Sequence, residues 1–176
     1  GKSTLLRLIL ALFLPDKGQI YLYNKQETAV VSPQTRCNLS YVPQGNTLVS
    51  GTIRENLRMG KPDATEDEMR TALHVAAADF VYTLTEGLDT RCGEQGAGIS
   101  EGQAQRIAIA RGLLRPGNIL LLDEPSSSLD SKTEKELLER LNGNLQGKTL
   151  VLITHKETVA QLCTEVIRMN KLKHSK

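Results

Sequence analysis

"NILLLDEP", residues 118–125, sets an unbroken apolar run, Ile119 to Leu122, against two acids, Asp123 and Glu124. A strand with one wet face alternates apolar and polar residues. A run that is apolar at every position suits a strand covered on both faces, as in a parallel sheet. Downstream, "DSKTEKELLERL" (130–141) reads as an amphipathic helix with Ser131 and Glu134 as its capping box. "KTLVLITH" (148–155) is a second buried strand with a polar tip, "KETVAQLCTEV" (156–166) a helix, and "IRMNKL" (167–172) a final strand. Upstream, "ISEGQAQRIAIAR" (99–111) opens a helix with the capping box S-x-x-Q and carries Ala104, Ile107, Ala110 and Leu114 along one side. Strand and helix alternate, which predicts an α/β fold around a parallel sheet.

The first half is less regular. "GKSTLLRLILALFL" (1–14) reads as a helix, with Leu5, Leu8, Ile9 and Leu12 at helical spacing. "QIYLYN" (19–24) alternates as a half-buried strand, and "LSYVPQ" (39–44) is a short strand stopped by Pro43. Residues 25–38 are polar and weakly patterned. From Thr52 to Arg115 the pattern is mostly helical, with a second capping box at Thr65 and Glu68, interrupted by the glycine-rich "GLDTRCGEQGAG" (87–98). The length of 176 residues fits one domain in two lobes: a core of 1–51 and 116–176, and a helical subdomain of 52–115.

Bulk properties exclude more than they assert. A formal net charge of +2 gives no ground for nucleic acid as a partner, nor for a charged membrane surface. Three widely spaced cysteines, Cys37, Cys92 and Cys163, form no metal pattern and read as reduced cytosolic thiols. No apolar run approaches the roughly 18 residues of a membrane span.

Four polar points fall where a phosphate site needs them. "GKST" matches the last positions of the P-loop pattern G-x-x-x-x-G-K-[ST], and a helix follows it. A helix N-terminus offers unpaired amides and partial positive charge to an anion. Lys2 would reach the β- and γ-phosphates, and the Ser3 hydroxyl would bind Mg²⁺. Asp123, at a strand tip, would hold that ion, usually through water. Glu124 is placed to polarise an attacking water as general base. His155 ends the second buried strand, at the sheet edge where open α/β folds bind ligands. Gln44 closes a strand and can bind Mg²⁺ or water. His74 and His174 take structural readings only.

In order, GKS, YVPQ, ISEGQAQRIAIAR, LLLDEP, SSLD and ITH resemble the ATP-binding cassette family, over nearly the whole chain. The resemblance implies a P-loop NTPase-like core with a parallel sheet and an inserted helical subdomain. It implies ATP binding and hydrolysis with Mg²⁺. Gly1, Lys2, Ser3 and Thr4 would belong to Walker A, Gln44 to the Q-loop, and Asp123 and Glu124 to Walker B. Ser100, Gly102 and Gln103 would form the signature contact, which in the family faces ATP held by a partner's P-loop. Asp130 would close the D-loop, and His155 would be the switch histidine. Metal contacts would come from Ser3, Gln44 and Asp123.

"VSGTIRENL" and the glycine-rich loop resemble the exporter branch. That implies a second nucleotide-binding domain and transmembrane domains as partners, at the cytoplasmic face of the inner membrane. A soluble, non-transport cassette ATPase and a non-hydrolysing structural module are the rival readings. Two departures stand out: Glu101 replaces the usual first glycine of the signature, and the chain begins inside Walker A. Lacking the first strand, half of the P-loop and the adenine-stacking aromatic, the chain is expected to bind ATP weakly by itself, and a sheet position beside its neighbours is expected to be vacant. Tyr21, Tyr23 and Tyr41 lie downstream and do not replace that aromatic.

Overall fold

A strand that is leucine at three successive positions must find cover on two sides, and the tertiary structure supplies it. The computed structural model describes residues 1–93, 98–145 and 147–169, and for Ser3 its backbone alone. Its first elements are α1 (Lys2–Ile9), β1 (Tyr21–Tyr23), β2 (Thr28–Val30), β3 (Leu39–Val42), β4 (Gly51–Thr52), α2 (Ile53–Arg58) and α3 (Glu66–Val75). There follow β5 (Arg91–Cys92), α4 (Glu101–Leu114), β6 (Ile119–Asp123), α5 (Ser131–Asn144), β7 (Thr149–Ile153) and α6 (Glu157–Ala160).

β3, β6 and β7 form a parallel sheet in that order, with Leu39 opposite Ile119 and Ile119 opposite Thr149. Leu120, Leu121 and Leu122 of the central strand are all buried. Successive strand side chains point to opposite faces. Leu121 therefore packs with Leu6, Leu10 and Leu39 under α1, while Leu120 and Leu122 join the larger cluster built from α2, α3, α4 and α5. The central helix α4 is buried on more than the expected stripe: Gln105, Ala108 and Ile109 are as hidden as Ala104, Ile107 and Ala110. Gly112 brings it against the sheet, since a Cβ there would stand 2.7 Å from Val42 Cγ2. Ser40 Oγ donates to the Gly112 carbonyl at 2.7 Å across the same contact.

Several local expectations change. The first helix stops at Ile9, and Ala11 turns the chain with a φ of 52°. Arg36 closes that end, donating to the carbonyls of Leu10 at 2.8 Å and Ala11 at 2.7 Å. Leu6 and Leu10 face the core, whereas Leu5 and Leu12 are exposed. Adjacent apolar columns have the same period, and only the sheet chooses between them.

The polar 25–38 segment contains β2, which pairs antiparallel with β1, and a 3₁₀ turn at Pro33–Asn38. The caps at Thr65 and Ser100 form as expected. α5 instead takes Asp130 as its N-cap, bonded to the Lys132 and Thr133 amides at 3.0 Å each. The helix expected over 156–166 is only Glu157–Ala160, and no strand follows in residues 165–169. Among the described residues β7 pairs with β6 alone, and residues 165–169 do not add to its open edge. The rest of the expected strand, residues 170–172, lies outside the described residues. All three cysteines are free, and no described helix is long and apolar enough to cross a membrane.

Candidate functional site

Parallel strands deliver their C-terminal residues to one edge of the sheet, the edge where open α/β folds bind ligands. β3 ends there in Pro43 and Gln44, β6 in Asp123 and Glu124, and β7 in Thr154 and His155. The N-terminus of α1 meets the same edge. Lys2 Nζ donates to the Thr154 carbonyl at 2.7 Å and stands 3.2 Å from His155 Nδ1. His155 Nε2 is in turn 3.2 Å from Glu124 Oε1. An ammonium, an imidazole and a carboxylate from three distant parts of the chain thus line up.

Glu124 is the constrained member. Its side chain is 16% exposed against 79% for His155. The imidazole is near but not aligned for a hydrogen bond, so the buried Oε1 has no hydrogen-bond partner within the described structure. The backbone is held too: Glu124 has a φ of 48°, a left-handed conformation that costs of order 1–3 kcal/mol in a residue with a side chain. Its amide bonds the Ile153 carbonyl at 2.9 Å, so the β6–β7 ladder fixes this turn.

Asp123, one residue earlier, is the last residue of β6. The Tyr41 hydroxyl lies 3.4 Å from its Oδ2. Burial pushes the Tyr41 phenol above its ordinary pKa, and the Asp123 charge adds to that. Gln44 is exposed, just past the half-buried Pro43, whose carbonyl accepts from Gln105 Nε2 at 3.3 Å. Thr4 is exposed on α1. The Ser3 side chain, His174 and residues 94–97 of the glycine-rich loop lie outside the described residues.

The residues around Ser100 form a second cluster at the mouth of α4. Ser100 N donates to Gln103 Oε1 at 3.0 Å, and Gln103 N to Ser100 Oγ at 3.2 Å. Gly102 is buried, and a Cβ there would stand 2.7 Å from the Ser128 carbonyl oxygen and 2.9 Å from Leu129 Cδ2. Its lack of a side chain lets the helix mouth sit on the Ser128–Leu129 backbone, a packing reason that spacing does not show. Asp130, next in that loop, is exposed and caps α5, and its bonds to Thr133 hold its carboxyl below the usual range.

Lys156 belongs to no motif in the sequence and Glu134 only to an expected helix cap, yet they meet beside the site. Lys156 Nζ donates to Glu134 Oε1 at 2.9 Å and to the Ser126 carbonyl at 3.1 Å. A lysine next to a candidate histidine is visible in the sequence, but its partner reads there as part of a helix cap.

A P-loop-type helix start, paired with acids at the tip of a buried parallel strand, defines a nucleotide-binding α/β domain. Residues 1–127 match the family model described as ABC transporter, and the chain belongs to that family, whose members are ATPases. The transport ATP-binding protein AarD of Providencia stuartii is 43% identical over 162 residues, which is 90% of this chain and 27% of that protein. The glutathione/L-cysteine transport system ATP-binding/permease protein CydD of Escherichia coli is 42% identical over 158 residues, 89% of this chain and 26% of that protein. Among solved structures, a bacterial Atm1-family ABC exporter with ATP bound superposes with a TM-score of 0.78 at 34% identity, covering 90% of this chain and 28% of that one. The fold expected from the resemblance, a P-loop NTPase-like parallel sheet with a helical insertion, is therefore the fold of the chain. The chain spans less than a third of the length of these relatives.

Proposed function

We propose that the chain is the ATP-binding and ATP-hydrolysing part of an ABC exporter. The observation that carries this is the convergence of Lys2, His155 and Glu124 at the C-terminal edge of the parallel sheet, beside a helix N-terminus. Glu124 accepts a proton from a water as its oxygen attacks the γ-phosphorus and the bond to the ADP oxygen breaks. Its buried Oε1, which faces His155 and takes no hydrogen bond, supports that role. Lys2 exchanges the Thr154 carbonyl for phosphate oxygens and offsets their charge. His155 lies between the two and can bond either the water or a γ-phosphate oxygen.

The donors at the tip of β6 suit Mg²⁺ brought in with the nucleotide. Asp123 supplies a carboxylate, Gln44 an amide oxygen, and Ser3 the hydroxyl implied by the motif; these are hard oxygen ligands. No cluster of three or more His, Cys, Asp and Glu among the described residues could hold a metal alone, which fits an ion that keeps phosphate and water ligands. Bound with ATP, the ion would neutralise phosphate charge.

A second nucleotide-binding domain supplies Ser100, Gly102 and Gln103 to the opposite ATP, and Asp130 approaches it across the same face. Residues 1–51 and 116–176 act as the core lobe. The lobe of 52–115 responds to transmembrane domains at the cytoplasmic face of the membrane. The ATP-binding/permease names of the relatives support that setting. ATP hydrolysis by the full-length protein tests the reading. Glu124→Gln is expected to keep nucleotide affinity within a few-fold and to lose at least a hundredfold in turnover. Undiminished turnover removes Glu124 from the base role.

A further inference from the structure

His155 is 79% exposed at its side chain, so packing does little to hold the ring against Glu124. Besides the Lys2 contact at Nδ1, something must hold the loop that keeps their separation at 3.2 Å. The next residue does so. The Lys156 amide donates to Thr154 Oγ1 at 2.9 Å, which shapes the turn at the end of β7. Its Nζ donates to the Ser126 carbonyl at 3.1 Å and to Glu134 Oε1 at 2.9 Å. Both anchors are largely buried. Ser126 is 2% exposed, and its carbonyl also accepts from the Leu129 amide at 3.3 Å. It lies in the turn closed by the Ser127 amide on the Glu124 carbonyl at 3.2 Å. Glu134 is 12% exposed and sits in the first turn of α5, directly after the segment in which Asp130 caps that helix.

One ammonium therefore ties three pieces together: the loop carrying His155, the turn that begins at Glu124, and the helix behind both. Charge-assisted bonds from a partly buried ammonium are about twice as strong as neutral ones. We propose that Lys156, held by Glu134, is a positioning residue that sets His155 against Glu124 for ATP hydrolysis. The proposal rests on the functional reading above. Lys156 acts through His155 and Glu124, the residues placed at the reaction above.

The test compares ATPase kinetics and nucleotide affinity of the full-length protein with those of its variants. Lys156→Met keeps the stem and removes the charge. Its kcat should fall at least about tenfold, since a misplacement of 1 Å can cost of order a hundredfold, while KM for ATP stays within twofold. Lys156→Arg should recover at least half of the wild-type rate, and Glu134→Gln should reproduce the kcat loss at unchanged nucleotide affinity. In a His155→Ala background, Lys156→Met should cost less than twofold more. A general folding defect would cost as much in that background as in the wild type, and that result overturns the proposal. So does a Lys156→Met variant with wild-type kcat in a protein that His155→Ala slows. A wild-type protein that hydrolyses no ATP instead overturns the functional reading itself, and this inference with it.

Discussion

Gly102 offers the sharpest test of what the residues around Ser100 are for. An added Cβ would lie 2.7 Å from the Ser128 carbonyl oxygen, short of the 3.4 Å at which ordinary contact begins. The obstacle is backbone, so no rotamer change relieves it; either the mouth of α4 or the Ser128–Leu129 loop must move by about 0.7 Å. Overpacking of this kind costs about 1–3 kcal/mol. Alanine returns up to about 1 kcal/mol of helix propensity, and less in the first turn, where Gly102 sits. The net expectation for Gly102→Ala is a loss of about 1–2 kcal/mol.

Gly143 is the control: it is helical in α5, and a Cβ added there would meet nothing within 4 Å. The same substitution there should stabilise by roughly 0.5–1 kcal/mol. Urea unfolding of the chain and the two variants would show midpoints displaced in opposite directions. If Gly102→Ala were as stable as Gly143→Ala, the packing argument would fail. Gly102 would then be explained only by the close approach of a nucleotide.

Two further outcomes follow from packing and charge. Leu121→Ala empties a fully buried site in the central strand and should cost about 2–5 kcal/mol, read from the same urea transitions; a cost below about 1 kcal/mol would mean that β6 is not covered on both faces. Burial alone would raise the pKa of Asp79, but its bonds to Arg140 and His74 outweigh that and hold its carboxyl below the ordinary value. Stability from a depressed carboxyl is present above its unfolded pKa and is lost as pH falls through the folded one. The urea midpoint should therefore decline as pH drops below about 4, less steeply in Asp79→Asn. Equal slopes would show that the Arg140 contact contributes nothing.

The chain announces its main elements through short-range patterns. Four apolar residues before Asp123 call for a covered parallel strand, and the Thr65 and Ser100 boxes mark helix starts, because a strand's cover and a helix's first amides are local demands. What stays hidden involves choices among equivalent local patterns. Leu5 and Leu6 head columns of equal period, and only the sheet buries Leu6. Asp130 and Ser131 can both cap α5; Asp130 takes the position, which leaves Glu134 free for a lysine 22 residues away.

By itself the sequence determined the fold class, the family resemblance and the identity of the strand-tip residues, since each is written in spacing along the chain. Tertiary structure alone decided that Lys2, His155 and Glu124 meet, that the Glu124 Oε1 is buried without a hydrogen bond, and that Gly102 serves the Ser128 backbone. These depend on distances between segments far apart in sequence. Such distances are set by how helices and strands stack, not by any periodicity within them.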